Sequence, residues 1–572
     1  MSFLRQSARI GRENGNSSPS FRRDWRVYAL IAPGAACLFI GQPNPFFHAP
    51  ALILGFPLCL CLLAALAPTD KSALFRCWLL GLAGNAAGLY WLVNPMHDVG
   101  GLGYELAWPG VLLVAAYLAC YSALAGLAMR RIRRLFALDE TTDAPARAKR
   151  SSAVFLLTGP VPAALLCGAA YAGFEVLCGV LFTGFPWLSL SSAFALHPAW
   201  VQAASLVGSY GLSACFVAAA CLGAFALLAP ALPERIGAAV LAFVLTAALP
   251  FGGALRLGQL LPEAAPLFIL MVQGNIDQNQ KWDPQFQEAT IAHYQDMTRR
   301  AIHDLRAARP EIGPDMVIWP ETAMPFYFQA HPEYAGRLRR FAAEMNVNLA
   351  FGALGAGPAP QGSESPAGLY NRLYLLSANG RIAGFYDKEH LVPFGEYIPF
   401  AASLTFLRNI MQGLDFSPGT SARPLLLVRP QPRRDPLADA PLPSQDGEES
   451  RGPASPAAQA NRPVGIGVLI CYEAIFPSLA QKRVDEGATV LVNVSNDGWF
   501  GKSSAPLQHL GLTIMRAVEQ ARPIARATNT GYTVAIDARG RIREHDDRLF
   551  VDGTLFASVR PSDEVTVYHR IH

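Results

Sequence analysis

Charge is the scarcest property of this 572-residue chain: 16% of its residues are Asp, Glu, Lys or Arg, against roughly 25% in an ordinary soluble domain. That deficit, with 52% hydrophobic residues and a positive mean hydropathy, excludes a disordered chain, a collagenous one and a small disulfide-rich scaffold. A net charge of +4 with no basic stripe interleaved with aromatics argues against a nucleic-acid binder. Cysteine is missing where an exported fold would use it. Cys37, Cys59, Cys61, Cys77, Cys120, Cys167, Cys178, Cys215 and Cys221 all precede residue 256, and Cys471 alone follows it. The C-terminal half therefore forms no internal disulfide. With no second thiol or close histidine pair beside Cys471, zinc is not expected either.

Long uncharged runs are abundant. A bilayer span takes about 20 apolar residues, and such runs occupy 27–69, 77–97, 106–129, 151–174, 176–233 and 236–255. The first divides at the prolines of Gly41-Gln42-Pro43-Asn44-Pro45, which break a helix. The stretch 151–233 divides near Gly184-Phe185-Pro186-Trp187 and holds a single charge, Glu175. The pattern predicts a bundle of about seven helices over 27–255, the first of them short. With a cytoplasmic tail at 1–26, the inside segments 1–26, 68–76, 130–150 and 230–235 carry 16 Lys/Arg, and the outside loops 42–49, 94–105 and 183–199 carry none. Such asymmetry sets orientation, so an odd number of spans places 256–572 outside the cytoplasm. The polar first 26 residues lack an apolar stretch ahead of a small-residue cleavage site, so the first helix is expected to be an uncleaved anchor.

After Arg256 the pattern becomes that of an extramembrane α/β domain. Short apolar runs at Leu267–Val272, Met316–Trp319, Leu349–Gly352, Leu373–Leu376, Val464–Cys471 and Thr489–Ser495 predict strands, and 331–345 has helical periodicity. Asn379-Gly380, between Leu373–Leu376 and Ile382–Tyr386, predicts a hairpin. Alternating strands and helices imply a layered α/β fold. The stretch 429–463, rich in Pro, Ser, Ala, Asp and Glu, is expected to be a disordered loop.

Cys471 ends the apolar run Val464-Gly-Ile-Gly-Val-Leu-Ile-Cys471, where a thiol is open to substrate. Its bland reading is a buried, inert cysteine. A reactive thiol needs a base to take its proton and a positive charge to stabilise developing negative charge. Two further strand ends offer both: Val317-Ile-Trp-Pro-Glu-Thr322, and Tyr386-Asp-Lys-Glu-His-Leu-Val-Pro-Phe-Gly-Glu-Tyr397.

A strand-end Glu, then Lys, then Cys resembles the nitrilase superfamily, whose fold is an α-β-β-α sandwich and whose members use a Glu-Lys-Cys triad. The longer phrases, with the preceding spans, resemble the membrane-anchored apolipoprotein N-acyltransferase family. They are Val272-Gln-Gly-Asn-Ile276, Lys281-Trp-Asp283, Trp319-Pro-Glu-Thr322, Lys388-Glu-His-Leu-Val-Pro-Phe-Gly-Glu-Tyr397, Ile470-Cys-Tyr-Glu473 and Asn493-Val-Ser-Asn-Asp-Gly-Trp499. The resemblance runs from about residue 27 to about 556. It implies that Glu321 is the general base, that Lys388 supports the tetrahedral intermediate and that Cys471 is the nucleophile. It also implies supporting roles for Glu396 near the lysine and for Trp282, Tyr472 and Glu473 in the pocket. Glu175 matches a glutamate of the family, and Cys178 stands where the family usually has arginine. The family usually adds a C-terminal membrane span, and the ending Asp563-Glu-Val-Thr-Val-Tyr-His-Arg-Ile-His572 holds no such run.

The implied reaction takes an acyl chain from a phospholipid, typically phosphatidylethanolamine, onto Cys471. It then passes the chain to the α-amino group of a diacylglyceryl-cysteine apolipoprotein, with no metal or cofactor. The implied setting is the bacterial inner membrane, with the catalytic domain periplasmic and the enzyme monomeric. The alternative is a membrane-anchored carbon-nitrogen hydrolase, an amidase using the same three residues. A cysteine-histidine pair through His390 or His509 is a weaker reading, since His390 lies within the lysine phrase and His509 within an apolar run. The apolar stretch 394–416 is expected to be an arm dipping into the outer leaflet, and Trp499-Phe500 belongs to a second such arm.

Overall fold

The computed structural model describes residues 25–136, 138, 156–259, 264–278, 280–358, 367–399, 415–420, 426–430, 463–546 and 548–571. Most of the expected tail at 1–26, of the loop at 429–463 and of the arm at 394–416 lies outside the described residues. Two compact units divide the chain: residues up to 259 with 503–515 and 571–572, and residues 260–502 with 516–570.

The first unit is helical. Among its described residues, four helices are long and apolar enough to cross a membrane: Tyr104–Leu135, Leu156–Thr183, Ala204–Leu228 and Leu232–Leu257. The expected count of seven is not reproduced by that measure. The run 27–69 folds as two shorter apolar helices, Arg26–Gly41 and Pro50–Ala65, each under the length of a perpendicular span. The run 77–97 does not coincide with one helix. Its helix, Asp70–Gly88, starts earlier, where the Thr69 hydroxyl accepts from the Ser72 amide, and short turns replace it at Tyr90–Leu92 and Pro95–Val99. An uncharged run records where charge is absent, whereas helix ends follow caps and prolines. The divide within 151–233 falls where the sequence places it. There Gly184 adopts φ +85°, and a Cβ would meet the Gly179 carbonyl oxygen at 2.1 Å. At the other end of the bundle, Asp70 forms ion pairs with Arg130, Arg131 and Arg134, joining two helices.

The second unit holds two sheets. One has the order β13 (Gly553–Val559), β1 (Leu267–Gln273), β2 (Met316–Ile318), β4 (Asn348–Pro358), β5 (Ala367–Leu376), β6 (Ile382–Asp387), with β3 (Met324–Tyr327) also paired to β4. The other runs β12 (Ile542–Asp546), β11 (Thr533–Ile536), β10 (Ile524–Thr528), β9 (Val490–Ser495), β8 (Val464–Ile470), β7 (Leu426–Val428). The strands that bear on the site are β1, β2, β4, β5, β6, β8 and β9. All six predicted strand runs fall on these strands, and the Asn379-Gly380 hairpin joins β5 to β6 with Gly380 at φ +74°. β8 and β9 pair in parallel and are buried along their whole length, as central strands covered on both faces must be. A shared core of Ile269, Met271, Ile318, Val468, Ile470 and Val492 packs the sheets face to face. Helices Gln287–Ala308 and Pro332–Met345 cover the far face of the first sheet through Tyr294, Trp319, Phe341 and Phe351. Helix Pro477–Asp485 packs against β8, where Arg483 reaches Gly467.

The sequence boundary at 255/256 does not account for residues 503–515, which group with the helical unit. The cause is a buried polar contact. The indole N–H groups of Trp91 and Trp187 both donate to Gln508 Oε1, at 3.0 and 2.9 Å, while Gln508 Nε2 donates to the Gly88 carbonyl at 3.3 Å. The Trp187 ring also packs against His509. Gln508→Leu removes three buried hydrogen bonds, each worth roughly 1 kcal/mol net. It should lower the thermal transition in detergent by several degrees and speed hydrogen exchange across 503–515. Unchanged exchange in that segment would show that these bonds do not anchor it.

Candidate active site

Three strand ends converge in the second unit. Cys471 follows β8 and opens the short turn Cys471–Ile475 with φ +51°. Glu321 follows β2, and the next residue, Thr322, has φ +46°. Lys388 follows β6 directly. A left-handed backbone at a non-glycine residue is strained, by about 1–3 kcal/mol, and such strain gathers at functional sites. Here it turns the chain sharply at both Cys471 and the residue after Glu321.

The Lys388 ammonium is the centre of the cluster. Its Nζ lies 3.3 Å from Glu321 Oε1 and 2.9 Å from Glu396 Oε2, and all three side chains are buried. Asn371 Nδ2 donates to Glu321 Oε1 and to Glu396 Oε1, both at 2.8 Å, so one amide bridges the two carboxylates. The remaining oxygens are also held: Glu321 Oε2 accepts from the Asn496 amide at 2.9 Å, and Glu396 Oε2 from the Val392 amide at 2.8 Å. Burial pulls the Lys388 ammonium down, but Glu396 and Glu321 outweigh it, so its pKa is raised and it stays charged. Burial pushes the Cys471 thiol up and Glu321 adds to the rise; Lys388 and a hydrogen bond from Ser495 oppose it without prevailing. At rest the thiol keeps its proton.

The supporting residues divide into two groups. Glu396 belongs to the charged cluster. Glu473 is fully buried and ties the lysine loop to the cysteine strand. It accepts from the Ile470 amide at 2.7 Å, the Glu389 amide at 2.7 Å, the His390 amide at 3.1 Å and the Tyr386 hydroxyl at 2.8 Å. Burial pushes its carboxyl up to about 7 despite these donors. Tyr472 is buried in a ring cluster with His390 and Phe476. Trp282 is half-buried and packs beside Tyr397 on Leu354, Leu391 and Phe416. Of the two histidines weighed from sequence, His390 sits in the Tyr472 ring cluster and His509 against Trp187 in the helical unit.

Sequence reasoning does not single out Lys281, Asn371, Asn496 or Asp497. Lys281 is buried, and its Nζ donates to the Glu321 backbone carbonyl at 3.3 Å. Asn496, oriented to satisfy its neighbours, accepts from both Lys281 Nζ and Trp499 Nε1 at 3.2 Å. Burial lowers Lys281 to about 8, with Glu321 and Cys471 opposing the fall. Asp497 pairs with Arg526 at 2.8 Å and accepts from the Ser495 hydroxyl at 2.7 Å. Position was the available signal, since Lys281 adjoins Trp282 and Asn496-Asp497 lie inside the last quoted phrase.

Comparison with known proteins places this arrangement. Residues 271–563 match the carbon-nitrogen hydrolase model, and 34–222 match the apolipoprotein N-acyltransferase N-terminal domain. The apolipoprotein N-acyltransferase of Geobacter metallireducens is 34% identical over 95% of this chain and 91% of its own length. This chain belongs to the apolipoprotein N-acyltransferase family. A second relative of that name, from Bordetella bronchiseptica, is 33% identical over 91% of this chain and 88% of its own. Among solved structures, an amidase from Nesterenkonia sp. aligns with 17% identity and TM-score 0.34, over 55% of this chain and 96% of that one. Family membership makes the protein an acyltransferase with a carbon-nitrogen hydrolase domain and membrane helices.

The raised Cys471 pKa has a direct consequence. Without substrate, alkylation of Cys471, followed by peptide mass spectrometry, should accelerate about tenfold per pH unit from roughly pH 7 to pH 9, because only thiolate reacts. A plateau near neutral pH would mean a preformed thiolate.

Proposed function

We propose that this enzyme carries an acyl chain from a phospholipid to the N-terminal α-amino group of a diacylglyceryl-cysteine apolipoprotein, through a thioester at Cys471. One observation carries the reading. A buried, protonated thiol at a strained strand end shares a cluster with Glu321 and Lys388, on a chain that also holds membrane-length helices. Soluble amides require no such helices, whereas lipid donors and acceptors do.

When a donor ester reaches Cys471, Glu321 takes the thiol proton and sulfur attacks the carbonyl carbon. Negative charge leaves Glu321 as it appears on the oxyanion, so the net charge of the cluster is unchanged. Lys388, kept cationic by Glu396 throughout, stabilises that oxyanion where little water screens it. Expulsion of lysophospholipid leaves the thioester, with Glu321 returning its proton to the departing alkoxide. The acceptor amine then repeats the attack, Glu321 takes its proton, and the thiol is regenerated. Glu473 fixes the spacing between the Lys388 loop and Cys471, and Trp282 and Tyr472 offer apolar walls to an acyl chain. Phosphatidylethanolamine, the abundant zwitterionic donor implied by the family resemblance, is the expected substrate.

The setting follows from the charge bias of the short loops. Two short apolar helices, Arg26–Gly41 and Pro50–Ala65, and the less apolar Asp70–Gly88 complete a seven-helix crossing where the bilayer thins locally to match them. The N-terminus is then cytoplasmic and the Cys471 domain periplasmic, at the inner membrane, in a monomer.

A transfer assay with labelled phosphatidylethanolamine and a diacylglyceryl-cysteine peptide tests the reading. Cys471→Ala should abolish transfer. Glu321→Gln should slow it on the order of 10²–10⁴-fold, and Lys388→Ala on the order of 10²–10³-fold. Release of free fatty acid or ammonia, independent of the amine acceptor, would instead favour the amidase. Wild-type transfer by Cys471→Ala would overturn the thiol's role.

A further inference from the structure

The last residue of β9 stands level with the reacting thiol. β8 and β9 run parallel with Ile470 opposite Val494, so the next step of the register sets Ser495 beside Cys471. The Ser495 side chain is hydrogen-bonded to the Cys471 sulfur, and its hydroxyl donates to Asp497 Oδ1 at 2.7 Å. Asp497 Oδ2 in turn accepts from Arg526 Nη2 at 2.8 Å. Arg526 Nη1 donates to Asn493 Oδ1, and Asn493 Nδ2 donates to the carbonyl of Leu469, two residues before Cys471, at 2.8 Å. Ser495, Asp497, Arg526 and Asn493 are all fully buried. A closed polar network therefore backs the nucleophile and returns to its own strand.

A serine hydroxyl has one hydrogen to give and two lone pairs. At rest that hydrogen is committed to Asp497, so Ser495 meets the protonated thiol with a lone pair and accepts from S–H. Once the thiol proton has passed to Glu321, the sulfur is an anion, and a lone pair facing it repels. Rotation about the Cβ–Oγ bond removes the conflict by aiming the O–H at sulfur, and Asp497 keeps its ion pair with Arg526 meanwhile. A serine that served only to hold Asp497 would account for the 2.7 Å bond. It would not account for the contact with sulfur, and Arg526 already holds that carboxylate.

We propose that Ser495 is a catalytic residue of the acyl transfer, its hydroxyl turning from Asp497 to the Cys471 sulfur whenever that sulfur is anionic. This happens twice per cycle, when sulfur attacks the donor ester and when the acceptor amine expels it from the thioester. Serine keeps its own proton throughout; the thiol proton goes to Glu321 and returns, and around Ser495 only hydrogen bonds are exchanged. The proposal rests on Cys471 being the nucleophile, but its test needs no acyl donor.

The full chain in detergent, without lipid, is alkylated with iodoacetamide at fixed pH values between 7 and 9, and the Cys471 peptide is quantified by mass spectrometry. The charged groups around the sulfur are Glu321, Lys388, Asp497 and Lys281, and Ser495→Ala leaves all four in place. Losing a hydrogen bond to a charged atom lowers the thiolate population about tenfold or more. The greater nucleophilicity of a more basic sulfur returns part of that. Alkylation of Ser495→Ala should therefore be roughly three- to tenfold slower at every pH. Asp497→Asn should act in the opposite direction. Its amide oxygen stays on Arg526, so Nδ2 donates to Ser495 Oγ and frees the hydroxyl hydrogen for sulfur, and alkylation should be roughly three- to tenfold faster. A merely structural network would give the same sign in both variants. Unchanged alkylation in Ser495→Ala, or slower alkylation in a folded Asp497→Asn, would overturn the proposal; if Asp497→Asn does not fold, Ser495→Ala decides alone. Failure of the acyl-transfer reading shows separately, as transfer by Cys471→Ala.

Discussion

A single buried ammonium held by two carboxylates organises the second unit. Taking Lys388 out of water is costly unless both its charge and its hydrogen-bonding capacity are met. Glu321 and Glu396 meet them together, with Asn371 spanning the pair. The four side chains come from three parts of the chain, so the cluster forms only when β2, β5 and the loop after β6 are aligned. The Arg372–Asp387 ion pair, at the β5 and β6 positions next to Asn371 and Lys388, fixes that alignment from within the sheet.

The same constraint reaches Cys471 through Glu473. Its two carboxylate oxygens accept from both sides of the site, the Ile470 amide on the cysteine strand and the Glu389 and His390 amides on the lysine loop. Hydrogen bonds from these backbone amides to the Glu473 carboxylate thus tie the cysteine strand to the lysine loop. The strained φ at Cys471 is compatible with this because the flanking residues Ile470 and Glu473 are already pinned. A preorganised positive charge beside a neutral thiol suits a reaction in which negative charge must appear at one atom and vanish from another.

Much of this was legible in the sequence, for particular reasons. The strands at 267–272, 464–471 and 489–495 are unbroken apolar runs because they are covered on both faces. Glu321 and Cys471 follow buried apolar strands and Lys388 follows the half-exposed second strand of a hairpin, so their place at strand ends could be read directly. Lys281 and Asn371 could not be read so. One precedes a loop and the other lies mid-strand, and their importance comes from what folds against them. Helix boundaries were read less well, because charge-free runs such as 77–97 say nothing of the Thr69 cap that starts the helix earlier. The grouping of 503–515 with the helical unit rests on Gln508, a polar residue whose two indole donors lie more than 300 positions away in the sequence.

The central claim is that Cys471 itself carries the acyl chain between lipid and amine. A single-turnover chase addresses it most directly. The enzyme is mixed with labelled phosphatidylethanolamine without acceptor, its intact mass is followed, and a diacylglyceryl-cysteine peptide is then added. The account predicts one hydroxylamine-labile acyl group on the Cys471 peptide, which disappears at the rate that N-acylated product appears. Product formed while Cys471 remains unmodified, or an adduct that persists when the acceptor is added, would contradict it.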